Sequence, residues 1–129
     1  IKFVSLNVNA GSVKRHEAKL VLEVEGKKQE SSSTGDGPVD ATFNAIKNII
    51  NHGAKLKLYQ IEAITAGTDA QGAVTIRLEE DGKTVQSKGS DTDIVVASAK
   101  AYINALNKLL VKRTKEAPDY LERKDIKGV

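Results

Sequence analysis

The stretch Gly35-Asp36-Gly37-Pro38-Val39-Asp40-Ala41 marks a passage from strand to helix, and the rest of the chain is arranged around it. Its two glycines can adopt positive φ angles, which other residues reach only at a steric cost. Pro38 suits the first turn of a helix, because its φ is already helical and its missing N–H would have had no partner. Apolar residues then recur at helical spacing, at positions 39, 43, 46 and 50. The free N–H groups of this helix start would face a hollow that suits a small anion or carboxylate, and a tight turn that binds nothing is the alternative.

The composition is that of one globular domain. The chain has 129 residues and 13.9 kDa, with 40% apolar and 29% charged residues, which is enough to bury a core. The net charge is only +3, and the two signs are interleaved, as in Glu79-Glu80-Asp81-Gly82-Lys83. This pattern favours a solvated surface over a nucleic-acid interface, which would also need more aromatic residues for base stacking.

Several kinds of chemistry are excluded by residue type. The chain has no cysteine, and its two histidines, His16 and His52, are too far apart in sequence for a usual metal motif. No apolar run approaches the roughly 20 residues that span a bilayer. The chain begins with Ile1, which suggests a piece of a longer protein, and the absence of a signal peptide predicts a cytoplasmic location.

The first half of the chain predicts three strands and a helix. Val4, Leu6 and Val8 alternate within residues 2–10, and a second alternating strand covers 17–25. Glu25-Gly26-Lys27 is typical of a hairpin turn. A polar strand at 28–34 follows, and then a helix from about 38 to 52 that Gly53 would end.

The second half repeats this order. A strand at 58–65 precedes an alternating strand, and Asp81-Gly82-Lys83 follows Glu25-Gly26-Lys27 at a distance of 56 residues. A short strand at 84–88 leads to a helix that ends near residue 113, with Asp91 or Thr92 as the expected N-cap. The helix ends are also similar in sequence, since Asn44–Ile50 resembles Asn104–Leu110.

These elements predict an α+β fold, an internally duplicated βββα unit with two three-stranded antiparallel sheets, two helices and a pseudo-two-fold axis. The domain would cover residues 1–116, with repeat 1 at about 1–54 and repeat 2 at about 55–116, followed by a tail at 117–129. One unit alone has too little core to be stable, so the two are expected to pack together. Small residues that recur along the second helix, Ala97, Ala101 and Ala105, would allow a close approach to its neighbours.

No constellation of nucleophile, base and orienting group is visible, so we predict no catalytic and no metal-binding residues. The carboxylates at the two helix starts are explained by capping and by the helix dipole: Asp36, Asp40, Asp91 and Asp93. An amino acid would suit the hollow, because helix N–H groups can bind its carboxylate and a protein carboxylate its ammonium. Its side chain could contact residues such as Val39, Leu56, Tyr59 and Ala63.

Four segments together resemble the C-terminal regulatory domain of 2-isopropylmalate synthase, over nearly the whole chain to about residue 113. They are Gly35–Ala41, its counterpart Gly89–Val95, the segment Tyr59–Ala70 and the helix segment Ala97–Tyr102. The related domain of citramalate synthase, with isoleucine as its ligand, is one alternative. A dimerisation module without a ligand is another.

The resemblance implies a non-catalytic domain that dimerises and binds L-leucine for feedback inhibition of a separate TIM barrel. That barrel would hold the divalent metal and transfer acetyl from acetyl-CoA to 2-oxoisovalerate, so no cofactor is expected in this domain. Ala63 leaves room opposite Tyr59, which favours leucine over isoleucine. The residues implied to face leucine are Gly35, Asp36, Gly37, Pro38, Val39, Asp40, Leu56, Tyr59, Ala63 and Ala70. Homodimerisation and contact with the barrel are implied, and nucleic acid or membrane is not.

Overall fold

A computed structural model gives the backbone of residues 1–9, 15–50, 52–66 and 69–116, and the side chains of these residues except 63–66, 69–70 and 113–116. The chain forms two successive βββα units, which confirms the predicted α+β fold. The elements are β1 (Lys2–Asn9), β2 (His16–Val24), β3 (Lys27–Gly35), α1 (Pro38–Ile49), β4 (Lys55–Ala66), β5 (Asp69–Glu80), β6 (Lys83–Asp91) and α2 (Ile94–Glu116). The predicted tail at 117–129 lies outside the described residues.

Each unit contributes one antiparallel sheet, with strand order β1-β2-β3 in the first and β4-β5-β6 in the second. The central hairpins turn at Glu25-Gly26 and Asp81-Gly82, with φ angles of 52° and 80° in the first pair and 52° and 79° in the second. Two consecutive left-handed residues make a type I′ turn, whose twist matches that of the flanking strands. The predicted hairpins are therefore confirmed, and the 56-residue repeat has a structural basis.

A β-bulge interrupts the first strand of each unit, between Phe3 and Ser5 in β1 and between Leu56 and Leu58 in β4. A bulge adds one residue and so moves the side chains beyond it to the other face. Val4 is consequently 39% exposed, whereas Phe3 lies opposite the buried Leu22. The expected alternation Val4, Leu6, Val8 is wrong at its first position for this reason.

One hydrophobic core joins the two units. α1 packs on β2 and β3, α2 packs on β5 and β6, and the helices contact each other. Alanines at 97, 101 and 105 are fully buried, as expected for a close helix approach. Contrary to the expectation that no apolar run approaches a membrane-spanning length, the segment Ile94–Lys112 is long and apolar enough to cross a bilayer by length and composition, but half of it is buried within the protein. That combination is typical of a core helix.

Neither glycine at the first strand–helix junction has a positive φ, and only Gly35 is required for its small size. Gly37 has an extended backbone with φ −140° and ψ 172°, and a Cβ there would meet nothing within 4 Å. A Cβ on Gly35 would lie 2.5 Å from the main-chain nitrogen of Ala41, so only glycine lets α1 approach β3 this closely. The expectation of positive φ in this turn is therefore wrong.

Two helix boundaries also differ from the predictions. α1 ends at Ile49, where Ile50 turns into an extended conformation, so Gly53 does not end it. α2 is capped by Asp93, whose Oδ1 accepts hydrogen bonds from the N–H groups of Val95 and Val96 at 2.8 and 3.5 Å. Asp91 instead accepts from the N–H of Asp93 and does not cap the helix itself.

The similarity of the helix ends is out of structural register by about one turn. The first intrahelical bonds, Ala41 N–H to Gly37 O and Ala97 N–H to Asp93 O, place the helix starts 56 residues apart, whereas Asn44 and Asn104 are 60 apart. A shift of four residues keeps nearly the same helix face, which explains the resemblance in sequence. α2 therefore continues well beyond the point that matches the end of α1.

Candidate functional site

A cavity of about 240 Å³ lies beside α1, between the two units. Its lining combines two carboxylates, two cationic groups, one amide and three apolar or aromatic side chains: Asp36, Asp40, Arg15, Lys47, Asn44, Phe43, Leu56 and Tyr102. Both charge signs and an apolar wall thus meet in one space. Such a set of groups can bind a small zwitterion that carries an apolar side chain.

The polar side of the cavity comes mainly from one face of α1. Asp36 just precedes the helix, and Asp40, Asn44 and Lys47 follow at spacings of four, four and three residues, which places them on one face. Arg15 lies just before β2, and its Nε is 3.5 Å from Asp36 Oδ1. Both side chains are largely exposed, so this ion pair adds little stability and can exchange partners.

The apolar wall is made of aromatic rings from different elements. Phe43 of α1 and Tyr102 of α2 are buried, and their ring centroids are 4.5 Å apart. Tyr59 of β4 meets the Phe43 ring edge-on, with centroids 6.1 Å apart and planes at 80°. Edge-on and tilted ring pairs of this kind are favourable beyond the area they bury. The wall is therefore rigid on its inner side.

Two hydrogen bonds hold the aromatic wall in place. The hydroxyls of Tyr59 and Ser98 are 2.7 Å apart, and Ser98 also donates to the carbonyl of Ile94 at 2.8 Å. Because the Ser98 proton goes to Ile94, Tyr59 donates to Ser98. The second sheet, β4-β5-β6, is thus hydrogen-bonded to α2 directly behind the cavity.

Tyr102 contacts His52 through its hydroxyl, which lies 3.2 Å from His52 Nε2. His52 Nδ1 accepts the N–H of Ala54 at 3.2 Å, so the proton of a neutral ring is on Nε2 and points to Tyr102. Burial raises the pKa of Tyr102 to about 12, and the phenol therefore stays protonated at neutral pH. With its oxygen occupied by His52, the Tyr102 proton is available for another acceptor.

The two helix starts differ in how their N–H groups are used. At α1 the N-cap is Gly37, which has no side chain to accept them, and Pro38 follows. At α2 Asp93 accepts two N–H groups, and Asp91 is held by the N–H of Asp93 and by Lys100 Nζ at 2.9 Å. These partners, the backbone N–H first and Lys100 second, lower the pKa of Asp91. Only the first start leaves its dipole end without a side-chain cap.

The equivalent space in repeat 2 is filled by side chains. The positions 56 residues after Phe43 and Lys47 are Ala99 and Ile103, and both are buried in the core. The backbone of β1 approaches α2 on that side, whereas β4 meets α1 through the ring of Tyr59, which contacts Phe43. The duplicated fold therefore carries this charged cavity in the first repeat and a packed core at the matching place in the second.

The structure brings only part of the predicted ligand set to the cavity. Asp36, Asp40 and Leu56 line it. The junction residues Gly35, Gly37, Pro38 and Val39 lie at the adjoining helix start, and Tyr59 stands behind Phe43. The side chains of Ala63 and Ala70 lie outside the described set.

Five lining residues were missed by the sequence reasoning: Arg15, Phe43, Asn44, Lys47 and Tyr102. Phe43, Asn44 and Lys47 could have been found, because they share a helix face with Asp40. Arg15 and Tyr102 carry no local signal, since only tertiary packing brings them there. Nearby, His16 Nδ1 is buried and makes no hydrogen bond, which the sequence could not indicate either.

A second groove, of about 530 Å³, lies between β6 and the end of α2. Among the described residues its lining includes Lys108, Lys112 and Asn107 and no carboxylate, so this part of the groove offers no partner for an ammonium group. Among the described residues, no three His, Asp or Glu side chains are placed to hold a metal ion. The charged cavity is the better candidate for a ligand.

The duplicated βββα fold with its charged cavity defines a class of α+β domain. Comparison with known proteins identifies the family. Residues 1–110 match the model of the LeuA allosteric (dimerisation) domain, and the chain belongs to this family. It is 50% identical to the 2-isopropylmalate synthase of Afipia carboxidovorans over 118 residues, which are 92% of this chain and 23% of the relative. The 2-isopropylmalate synthases of Caulobacter sp. strain K31 and Nitrosospira multiformis are also 50% identical, over 92% and 91% of this chain and 22% and 23% of theirs. The chain thus spans less than a quarter of the length of these relatives, and the match falls on their C-terminal part.

Proposed function

We propose that this chain is the allosteric regulatory domain of a 2-isopropylmalate synthase, and that it binds L-leucine for feedback inhibition and holds two subunits together. The observation that carries the proposal is the cavity beside α1, which joins charges of both signs to an aromatic wall in a domain of an allosteric family. We take the chain itself to be non-catalytic, because its candidate site contains carboxylates and cations but no activated nucleophile.

The lining of the cavity supports an α-amino acid as the ligand. Asp36 and Asp40 can bind an ammonium group, and Arg15 and Lys47 can bind a carboxylate. An aliphatic side chain would then lie against Phe43, Leu56 and Tyr102, where it loses contact with water. The uncapped start of α1 offers a second seat for the carboxylate, so Gly35, Gly37, Pro38 and Val39 stay in the proposed site.

Leucine is favoured over isoleucine by the relatives, which are named as 2-isopropylmalate synthases. The alternative, an isoleucine-binding domain of a citramalate synthase, differs in the shape of one side chain. A difference of that size in an apolar pocket is worth about 1–3 kcal/mol, so measured preferences can separate the two ligands. The predicted contacts of the ligand side chain with Tyr59, Ala63 and Ala70 would contribute to this preference between leucine and isoleucine.

The face of β4 that carries Leu56 and Ile61 is our proposed dimer surface. These residues are 44% and 51% exposed, although they lie on the same face as the buried Leu78 and Val74 of β5. α2 packs on that face over β5 and β6, and it meets β4 at the hydrogen bond between Ser98 and Tyr59, which leaves Leu56 and Ile61 exposed on either side. A second copy of the chain would bury these side chains. Because Leu56 also lines the cavity, the second copy would close one side of the site.

The wider context is proposed from the relatives. The rest of the full-length enzyme would be a TIM barrel that binds a divalent metal and condenses acetyl-CoA with 2-oxoisovalerate in the cytoplasm. The domain itself would need no cofactor. Leucine would act on the distant barrel by binding one conformation of the whole enzyme better than another.

Isothermal titration of the chain with L-leucine, L-isoleucine and L-valine tests the ligand. We expect heat of binding for leucine, with one site per chain. The affinities for isoleucine and valine should be at least tenfold weaker than that for leucine. A preference for isoleucine would assign the domain to a citramalate synthase. No heat with any of them, from a chain that is still dimeric, would leave the dimerisation module as the function.

A further inference from the structure

One of the two edges of each sheet, formed by β3 in the first sheet and by β6 in the second, is covered by side chains from a helix. β3 and β6 are each the last strand of a sheet, so one side of each has no partner strand. Three side chains of α2 donate hydrogen bonds to main-chain carbonyls of β6. Asn104 Nδ2 donates to Lys88 at 2.9 Å, Lys108 Nζ to Gln86 at 2.7 Å, and Lys112 Nζ to Thr84 at 3.0 Å. Three successive donors from one helix thus bind every second carbonyl of one strand.

The same arrangement occurs on β3. Asn44 Nδ2 of α1 donates to the carbonyl of Thr34 at 3.0 Å, and Asn48 Nδ2 donates to that of Ser32 at 3.4 Å. Asn48 and Asn104 are 56 residues apart, and so are their acceptors Ser32 and Lys88. The feature is therefore a property of the repeated unit. We call these five donors, Asn44, Asn48, Asn104, Lys108 and Lys112, the edge guards.

Elementary geometry explains why one stripe of a helix can serve one strand. Four helical residues rise about 6 Å, and two strand residues rise about 6.6 Å, so the two spacings almost agree. Donor numbers increase as acceptor numbers decrease, so each helix runs antiparallel to the strand it guards. Because alternate carbonyls of a strand point to the same side, the guards meet the row that an added strand would use.

An unpaired strand edge is a template for a strand from another chain. β3 and β6 are nine residues long, which is enough for stable pairing with a second copy. To pair there, a second copy would have to break the guard bonds and desolvate the ammonium groups of Lys108 and Lys112. Both steps oppose association, and the lysines do so most strongly because they carry charge.

We propose that the edge guards prevent other copies of this chain from pairing with β3 and β6, and so block growth of an assembly through these two strands. Each chain has one guarded edge per unit. Pairing at both would let every chain join two neighbours without closing a ring. Without the guards, the chain would form open, concentration-dependent oligomers through these edges.

The test removes the two charged guards without shortening the side chains. Lys108→Met/Lys112→Met lacks both donors, and Lys2→Met/Lys19→Met is a matched control that loses the same charge at exposed positions on β1 and β2, outside both guarded strands. Sedimentation velocity from about ten to a few hundred micromolar would measure the size of each. We expect the guard variant to form species larger than the wild-type assembly, in amounts that rise with concentration, while the control stays like the wild type.

Further variants keep the result interpretable. Lys108→Arg/Lys112→Arg retains donors at both positions, so it should sediment like the wild type. If the methionine variant does not fold, as judged by far-UV circular dichroism, Asn48→Leu tests the same idea on β3. A folded guard variant that stays at the wild-type size over the whole range would overturn the proposal, and so would equal growth of the control.

Discussion

The hydroxyl of Tyr59 on β4 lies 2.7 Å from the hydroxyl of Ser98 on α2, and this hydrogen bond joins the least covered strand to the longest helix. Ser98 is fully buried, and its hydroxyl donates a hydrogen bond to the carbonyl of Ile94. Tyr59 lies behind the ring of Phe43, which lines the candidate cavity. The back of the site is thus fixed by a polar contact between the two layers.

Tyr59→Phe should destabilise the fold by about 1 kcal/mol, because it removes one buried hydrogen bond and leaves the ring in place. Tyr59→Ala should also weaken leucine binding, because the support for Phe43 is lost. Urea unfolding measures the first effect and calorimetry the second. Equal leucine affinity in Tyr59→Ala would show that the wall behind Phe43 does not matter for the ligand.

Gly35→Ala should destabilise the fold by about 3 kcal/mol, since the new Cβ would meet the backbone of Ala41, which cannot move away alone. Gly37→Ala is the matched control, with open space around it and an extended backbone, and should change stability by less than about 0.5 kcal/mol. Thermal unfolding of both proteins gives the comparison. Similar melting temperatures for the two variants would contradict the close approach of α1 to β3.

Gly37→Val should fold for the same reason, and it then tests the uncapped helix start as a ligand seat. A branched side chain at the N-cap would shield the N–H groups of the first turn. If the leucine carboxylate binds there, affinity should fall; if it binds Arg15 and Lys47 instead, calorimetry should find it unchanged.

Asp40→Asn and Lys47→Gln should each weaken leucine binding roughly tenfold, because each removes one charge from the proposed zwitterion site. Asp81→Asn and Lys28→Gln are matched controls with the same chemical changes at exposed positions on hairpins away from the cavity. Calorimetric titration of all four variants is the measurement. Controls that lose as much affinity as the cavity variants would point to a general charge effect.

Ile61→Asp should convert the dimer into a 13.9 kDa monomer, because a carboxylate on the uncovered face of β4 would be buried at the interface. Val111→Asp is the control, since Val111 is another exposed apolar residue but lies on α2. Sedimentation equilibrium distinguishes the two. A dimeric Ile61→Asp protein would exclude this face as the interface.

Asp91 should make the fold more stable at neutral pH than in acid. Its pKa is lowered in the folded state, so its stabilising effect is present above the unfolded value of 3.8 and is lost as the pH falls through the folded value. The stability difference between the wild type and Asp91→Asn should therefore shrink in that acidic window. A difference that does not change between pH 7 and pH 3 would contradict the assigned hydrogen bonds to Asp93 and Lys100.

Local chemistry made the repeat visible in the sequence. Gly26 and Gly82 sit in left-handed turns that few other residues tolerate, and Pro38 marks a helix start for the same kind of reason. The bulge after Phe3 could not be predicted, because it depends on how β1 registers against β2. Asp93 was missed as the N-cap because Asp91, Thr92 and Asp93 are all good capping residues, and only the fold decides among them.

The candidate site was predicted only where it follows the chain. Asp36 and Asp40 lie next to the helix start, and Leu56 was predicted both as an apolar contact for the side chain of an amino acid and from the family resemblance. Arg15 and Tyr102 reach the cavity from distant segments, and no spacing rule connects them to α1. Gly37 was correctly given a place at the junction, but for a backbone conformation that it does not have.

The two repeats of this duplicated fold differ at matching positions. Ala99 and Ile103 are buried in the second repeat, whereas the first repeat has an open cavity there. The second half is closely packed at this place, and the first half keeps the cavity and its exposed charges. Amide protons of α1 should therefore exchange with solvent faster than those of the equivalent turns of α2, and a bound ligand should slow the first set more. Under the proposed function, the duplicated fold would place close packing mainly in the second repeat and ligand binding mainly in the first.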